Sequence, residues 1–173
     1  YTDVNPLASR LAERLGGRSM LVHAPLFAES REQRELLMEM ASIKEVFNLA
    51  RKAAIALVGI GSIVTPGSSY YDLHPLPNLD REELVRNGVR GEFLAHLIRE
   101  DGTPSDHPLN SRLVALHPSE LEQCPRTIGV AAGPEKVLPI RAALNGRLLD
   151  TLIVDEATAG LVLETMEPQQ NVA

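Results

Sequence analysis

The chain has 173 residues, 44% hydrophobic and 23% charged, an ordinary globular composition whose length suits one domain. Aromatics make up only 3% and tryptophan is absent, so the core is aliphatic, as in layered α/β proteins. A net charge of −6 sets an acidic surface against phosphate backbones, and no apolar run approaches the roughly 20 residues that span a bilayer, so nucleic-acid binding by this chain alone and membrane insertion are both disfavoured.

Val4, Leu7, Ala8, Leu11, Ala12 and Leu15 fall on one helical face, with Thr2 or Asp3 as cap and Gly16-Gly17 as stop. Met20 to Ala24 then reads as a short buried strand ended by Pro25. Ser30 opens a charged helix to about Met38. Ser42 is expected to cap the next, with Val46, Leu49 and Ala50 inward. The continuous apolar run Ala54 to Val58 stops at Gly59 and suits a central strand buried on both faces of a parallel sheet.

Ser62 to Asp80 is rich in Gly, Pro, Ser and Asn and reads as a long loop, of the kind that carries function or moves. Asp80 caps a helix through Leu84 and Val85. Gly91 to Ile98 and Arg112 to Leu116 are strand-like, and Asp101-Gly102 with Pro104 between them suggests that they pair as an antiparallel hairpin. Pro118 to Leu121 is a short helix and Thr127 to Ala131 a buried strand. A helix marked by Val137, Ile140 and Leu144 ends at Asn145-Gly146. Leu148 to Val154 is the last strand, and Asp155 starts a final helix through Leu161 and Leu163. The alternation predicts an α/β fold: a mostly parallel, Rossmann-like sheet with helices on both faces and a small antiparallel hairpin.

In open α/β sheets ligands bind beyond the carboxyl ends of the strands. Four such ends stand out: His23-Ala24-Pro25, Gly59-Ile60-Gly61-Ser62, Ala132-Gly133-Pro134-Glu135-Lys136 and Asp155-Glu156. Gly59 and Gly61 let backbone approach a ligand, but without a third glycine they make no dinucleotide fingerprint, and a tight turn is an equal alternative. Gly133 to Lys136 follows a strand and opens a helix, so free amides and a mobile cation could meet an anion there; a solvated lysine is the plainer alternative. Asp155 is read first as an N-cap. The five histidines lack metal-ligand spacing, His96 and His117 are assigned to solvent or to core hydrogen bonds, and Cys124 beside Pro125 has no evident base. One thiol builds neither a disulfide framework nor a Cys-based zinc site, which fits a reducing cytoplasm. No metal or cofactor is expected. The residues alone carry the reading no further than an α/β domain with an anion site.

The same segments in this order resemble the effector-binding domain of the SorC/DeoR bacterial transcription regulators. The match runs from about Asp3 to Leu163 and rests on Asn5 with Leu11-Ala12, Leu21 to Pro25, Ala56 to Ser62, Gly88 to Glu92, Asp101-Gly102, Arg112, Ile128 to Ala131, Gly133 with Lys136, and Asp155 to Ala159. The resemblance implies a fold like that of ribose-phosphate isomerases and glucosamine-phosphate deaminases. It implies a phosphorylated sugar or related metabolite as effector, a homo-oligomer (dimer or tetramer), and operator DNA bound only through an N-terminal helix-turn-helix. Neither that module nor the family's first Gly- and Thr-rich strand-turn is found after Tyr1, so residues 1–173 are expected to be an effector-binding fragment. By position, Glu92 matches an acidic residue that contacts sugar hydroxyls, often Asp in relatives, and Lys136 matches a ligand-contacting lysine. Gly59, Gly61, Ser62, Gly133, Asn5 and His23 complete the implied pocket. Ala132 replaces the usual first glycine of a Gly-Gly pair, and the loop from Thr65 to Tyr71 is expected to set ligand identity. The competing function is a sugar-phosphate isomerase or deaminase with Glu92 as base and Lys136 polarising a carbonyl.

Overall fold

A computed structural model describes residues 4–64 and 81–166. Five strands form one sheet in the order β3-β2-β1-β4-β5: β1 (Ala56–Gly61), β2 (Val89–Phe93), β3 (His96–Arg99), β4 (Thr127–Val130) and β5 (Thr151–Ile153). The β1-β4 and β4-β5 pairs are parallel, and β2 with β3 makes an antiparallel hairpin on β1. The helices are α1 (Val4–Arg14), α2 (Arg31–Glu39), α3 (Ala41–Ala50), α4 (Arg81–Arg86), α5 (Val137–Asn145) and α6 (Glu156–Met166). The expected α/β architecture with a parallel centre and an antiparallel hairpin is therefore present.

The parallel centre follows from its sequence. Val58 and Ile60 point to one face and pack with Phe93 and Ile98 against Ile140, Ala142 and Ala143 of α5 and Val162 of α6. The run from Ala54 to Val58 is nonetheless not buried on both faces: Ile55 is 58% and Leu57 54% exposed. On that face Val130 and Ile153 are also exposed, and the apolar stripe of α1 (Val4, Leu7, Leu11), with Leu15 just after it, is uncovered among the described residues.

Two further clusters fix the flanks. Ile63, Leu84, Val89, Leu97 and Leu109 hold α4 and the hairpin together, and Ala28, Ile43, Phe47 and Val114 anchor α3. In α3 the buried positions are Ile43 and Phe47, while Leu49 is exposed, so the helix is rotated from the expected face. Its N-cap is Met40, without a side-chain cap bond, in place of Ser42. Ser30 does cap α2: its hydroxyl accepts from the Gln33 amide at 3.2 Å.

The hairpin is shorter than predicted and lies elsewhere in the chain. Gly91 to Ile98 is not one strand. It folds back at Leu94 and Ala95, both in the left-handed region (φ 50° and 62°), so β2 pairs with β3. Two successive left-handed residues are what a two-residue hairpin needs, though Asn and Gly usually supply them. Arg112 to Leu116 forms no sheet strand; it meets 26–28 through the Phe27–Leu113 bridge and the Ala28-to-Arg112 and Val114-to-Leu26 amide bonds. Met20 to Ala24 is likewise irregular rather than a strand, with Met20 exposed. Gly102 (φ 80°) turns the chain after β3, and a Cβ there would strike the backbone of Gly146 at the end of α5. The expected cap residues Thr2, Asp3 and Asp80 and the segment from Thr65 to Tyr71 lie outside the described residues.

Candidate functional site

The carboxyl ends of β1 and β4 face the start of α5. Here Gly61 of β1 is paired with Glu92 of β2. The Glu92 side chain lies directly over Gly61, where a Cβ would run into its carboxylate. Next to it, a Cβ on Gly91 would meet the Gly61 carbonyl and the Pro139 ring. Two glycines thus bring two strands and a helix close enough to seat one carboxylate at the sheet edge.

Glu92 is half-buried as a residue, and its carboxyl end is the enclosed part. Oε2 accepts the Ala95 amide at 2.9 Å, a bond made available by the left-handed turn. Burial raises the Glu92 pKa above the ordinary carboxylate value, while the Ala95 N–H and the nearby Lys136 ammonium pull it down. Glu92 and Lys136 are therefore electrostatic neighbours although 44 positions separate them in the chain.

The turn that delivers Lys136 is pinned from behind. Gly133 (φ 112°) adopts a backbone that L side chains rarely enter. Its amide donates to Thr158 Oγ1 at 2.8 Å and to Asp155 Oδ2 at 3.3 Å. Thr158, fully buried, donates its hydroxyl to Asp155 Oδ2 at 2.5 Å, and its amide reaches Asp155 Oδ1 at 2.9 Å. Asp155 is thus the predicted N-cap of α6, and these hydrogen bonds, the Thr158 hydroxyl first, hold its pKa below the ordinary value. A single 3-10 turn, Pro134–Lys136, then leads into α5, so Lys136 is the residue that opens the helix. Pro139 lies in the first turn of α5, where its missing N–H costs nothing.

The remaining candidates fall into two groups. Gly59 sits within β1 on the exposed face, with open space where its side chain would be. Ser62 is buried just past β1 and its hydroxyl meets the Val64 amide at 3.4 Å; with Ile63, Glu135 and Pro139 it lines a crevice of about 40 Å³ beside the site. Asn5 in α1 and His23 in the irregular stretch before α2 are exposed and belong to no ladder of the sheet, so strand register does not bring them to Glu92. Sequence reasoning missed Thr158. Its signal was the Asp-x-x-Thr spacing, which places a hydroxyl over the cap of a helix. Among the described residues no cluster of three or more His, Cys, Asp or Glu is placed to hold a metal, and no helix is long and apolar enough to cross a membrane.

Residues 1–164 match a family described as "Putative sugar-binding domain". The transcriptional regulator LsrR of Enterobacter sp. (strain 638) is 35% identical over 146 residues, covering 83% of this chain and 45% of that protein. The full-length sorbitol operon regulator SorC of Klebsiella pneumoniae superposes with a TM-score of 0.84 at 27% identity, over 92% of this chain and 52% of SorC. A DeoR family transcriptional regulator from Listeria monocytogenes gives 0.83 at 25% identity, over 91% of this chain and 64% of that one. The chain spans about half the length of the curated relatives it matches.

Proposed function

The chain belongs to the sugar-binding domain family of SorC- and DeoR-type transcription regulators, and from that premise we propose that it senses a phosphorylated sugar or a related small metabolite and does not turn it over. The observation that carries the reading is the Glu92 carboxylate seated over Gly61 beside Lys136 at the carboxyl edge of the parallel strands. A carboxylate accepts hydroxyl protons and an ammonium donates to phosphate or hydroxyl oxygens, so the pair suits a polyol phosphate. Gly133, held in its turn by Asp155 and Thr158, keeps the lysine at the ligand side of the sheet. Gly59, Gly61 and Ser62 form the floor, and Asn5 and His23 are assigned to the outer wall.

Within a whole regulator, effector binding here shifts the oligomer and, through a separate DNA-binding module, the affinity for operator DNA. This chain by itself, with its net charge of −6, leaves operator DNA unshifted at moderate salt. The setting is the cytoplasm and the working form a homo-oligomer, which light scattering with and without effector checks directly. Isothermal titration with a panel of sugar phosphates, with mass-spectrometric analysis of the same samples, tests the central reading. Saturable binding with the ligand recovered intact supports sensing. Conversion of the ligand, lost in Glu92→Gln, makes the protein an isomerase or deaminase instead.

A further inference from the structure

A second polar cleft, of about 480 Å³, opens between α2 and the segment 104–117, and His96, Arg34 and His117 line it. Its volume lies in the range of small-molecule sites. Its chemistry is set by His96, the first residue of β3, only 4% exposed. Nδ1 of His96 lies 3.0 Å from the Leu94 carbonyl, which can only accept, so Nδ1 carries the proton. Nε2, on the opposite edge of the ring, is a bare acceptor with no hydrogen-bond partner among the described residues. A buried acceptor without a donor is costly, and a ligand hydroxyl supplies the missing group.

Arg34 provides the opposite function. Its Nε donates to the Leu113 carbonyl at 2.9 Å, which fixes the plane of the guanidinium, and its two Nη groups hold no hydrogen bond among the described residues. A planar fork of free donors is suited to a carboxylate or phosphate. His117 stands edge-on to His96, with ring centroids 5.2 Å apart. Its Nδ1 is taken up by Ser119, 2.7 Å from the hydroxyl and 3.3 Å from the amide, so Nε2 is the ring nitrogen left for the cleft. The carboxylates at the rim are each paired, Glu35 with Arg31 and Asp106 with Arg99, which lessens their repulsion of an anion. Burial holds the His96 pKa down at about 4, which keeps the ring neutral near pH 7.

We propose that this cleft is a second ligand site, separate from the strand-end site, for a small anion that also bears a hydroxyl group: the anion on the Arg34 fork, the hydroxyl donating to His96 Nε2. The test is NMR of the histidine rings in the 173-residue protein during titration with D-gluconate, glycerol 3-phosphate, acetate and sorbitol. Gluconate and glycerol 3-phosphate separate carboxylate from phosphate preference, while acetate and sorbitol each supply only half of the chemistry. Saturable shifts of the His96 and His117 resonances are expected with at least one of the first two, at least about tenfold tighter than with acetate or sorbitol. Arg34→Met and His96→Phe should each weaken that binding about tenfold, with folding checked by the methyl spectrum, and Lys136→Met should leave it unchanged. The proposal is overturned if no titrant saturates the His96 shift, if saturation survives both Arg34→Met and His96→Phe, or if Lys136→Met abolishes it.

Discussion

Glu92 and His96 stand on either side of the same two-residue turn, and the fold buries both, yet it equips them differently. Glu92, on β2, is pushed toward its neutral form by burial but is offered an amide and a lysine, both of which favour the charged form. His96, on β3, is pushed toward its neutral form by burial, reinforced by His117 and by the Arg34 guanidinium, with only the Leu94 carbonyl and the Glu120 carboxylate favouring the charged form. Burial alone does not decide what a buried ionisable group is for; the neighbours do. Glu92 keeps a cation and an amide at hand, both favouring its charged form, whereas burial holds His96 uncharged near pH 7.

The largest test of that contrast is pH. For His96 the folded pKa, about 4, lies below the ordinary 6.5, so its contribution to stability is full above pH 6.5 and is lost as pH falls toward 4. The loss amounts to roughly 3 kcal/mol, and His96→Phe should flatten this acid limb in urea melts taken across that window. Glu92 has the opposite sign: its folded pKa is raised, so stability is lost as pH rises from the ordinary carboxylate value through the folded one. Glu92→Gln should remove that loss. If both variants change the same limb, the two residues are not the opposites described.

A smaller effect separates position from charge. Gly61→Ala puts a methyl group where the Glu92 carboxylate lies and forces that flexible side chain aside. Effector affinity should fall by about 1 kcal/mol, read by calorimetry, with the His96 acid limb unchanged. The smallest effect is at the turn itself. Ala95→Gly relieves a left-handed residue and should raise thermal stability by about 0.5–1 kcal/mol while leaving both pH limbs in place.

The turn also marks where the sequence stopped being legible. Apolar runs announced β1 and β4, and the Asn145-Gly146 stop announced the end of α5, because long periodic or apolar segments carry their own signal. Leu94 and Ala95 carry none: neither is a residue that favours positive φ, and the turn chemistry in the sequence points to Asp101-Gly102 instead. The true partner of Arg112 to Leu116 is the stretch 26–28, a pairing of one bridge that no local pattern encodes. At the site, Lys136 was visible as the opener of a helix after a strand. Glu92 emerged only through family resemblance, since its meeting with Lys136 depends on β2 pairing beside β1. The His96 cleft was invisible, because a lone histidine in an apolar strand looks like any satisfied core residue.

Calorimetric titration of the tightest-binding sugar phosphate into the protein and into Lys136→Met is the most direct test of the strand-end site. Methionine keeps the stem and deletes the charge, so affinity should fall by roughly 1.5–3 kcal/mol, about ten- to a hundredfold, with the unfolding midpoint unmoved. Unchanged affinity in Lys136→Met would contradict it.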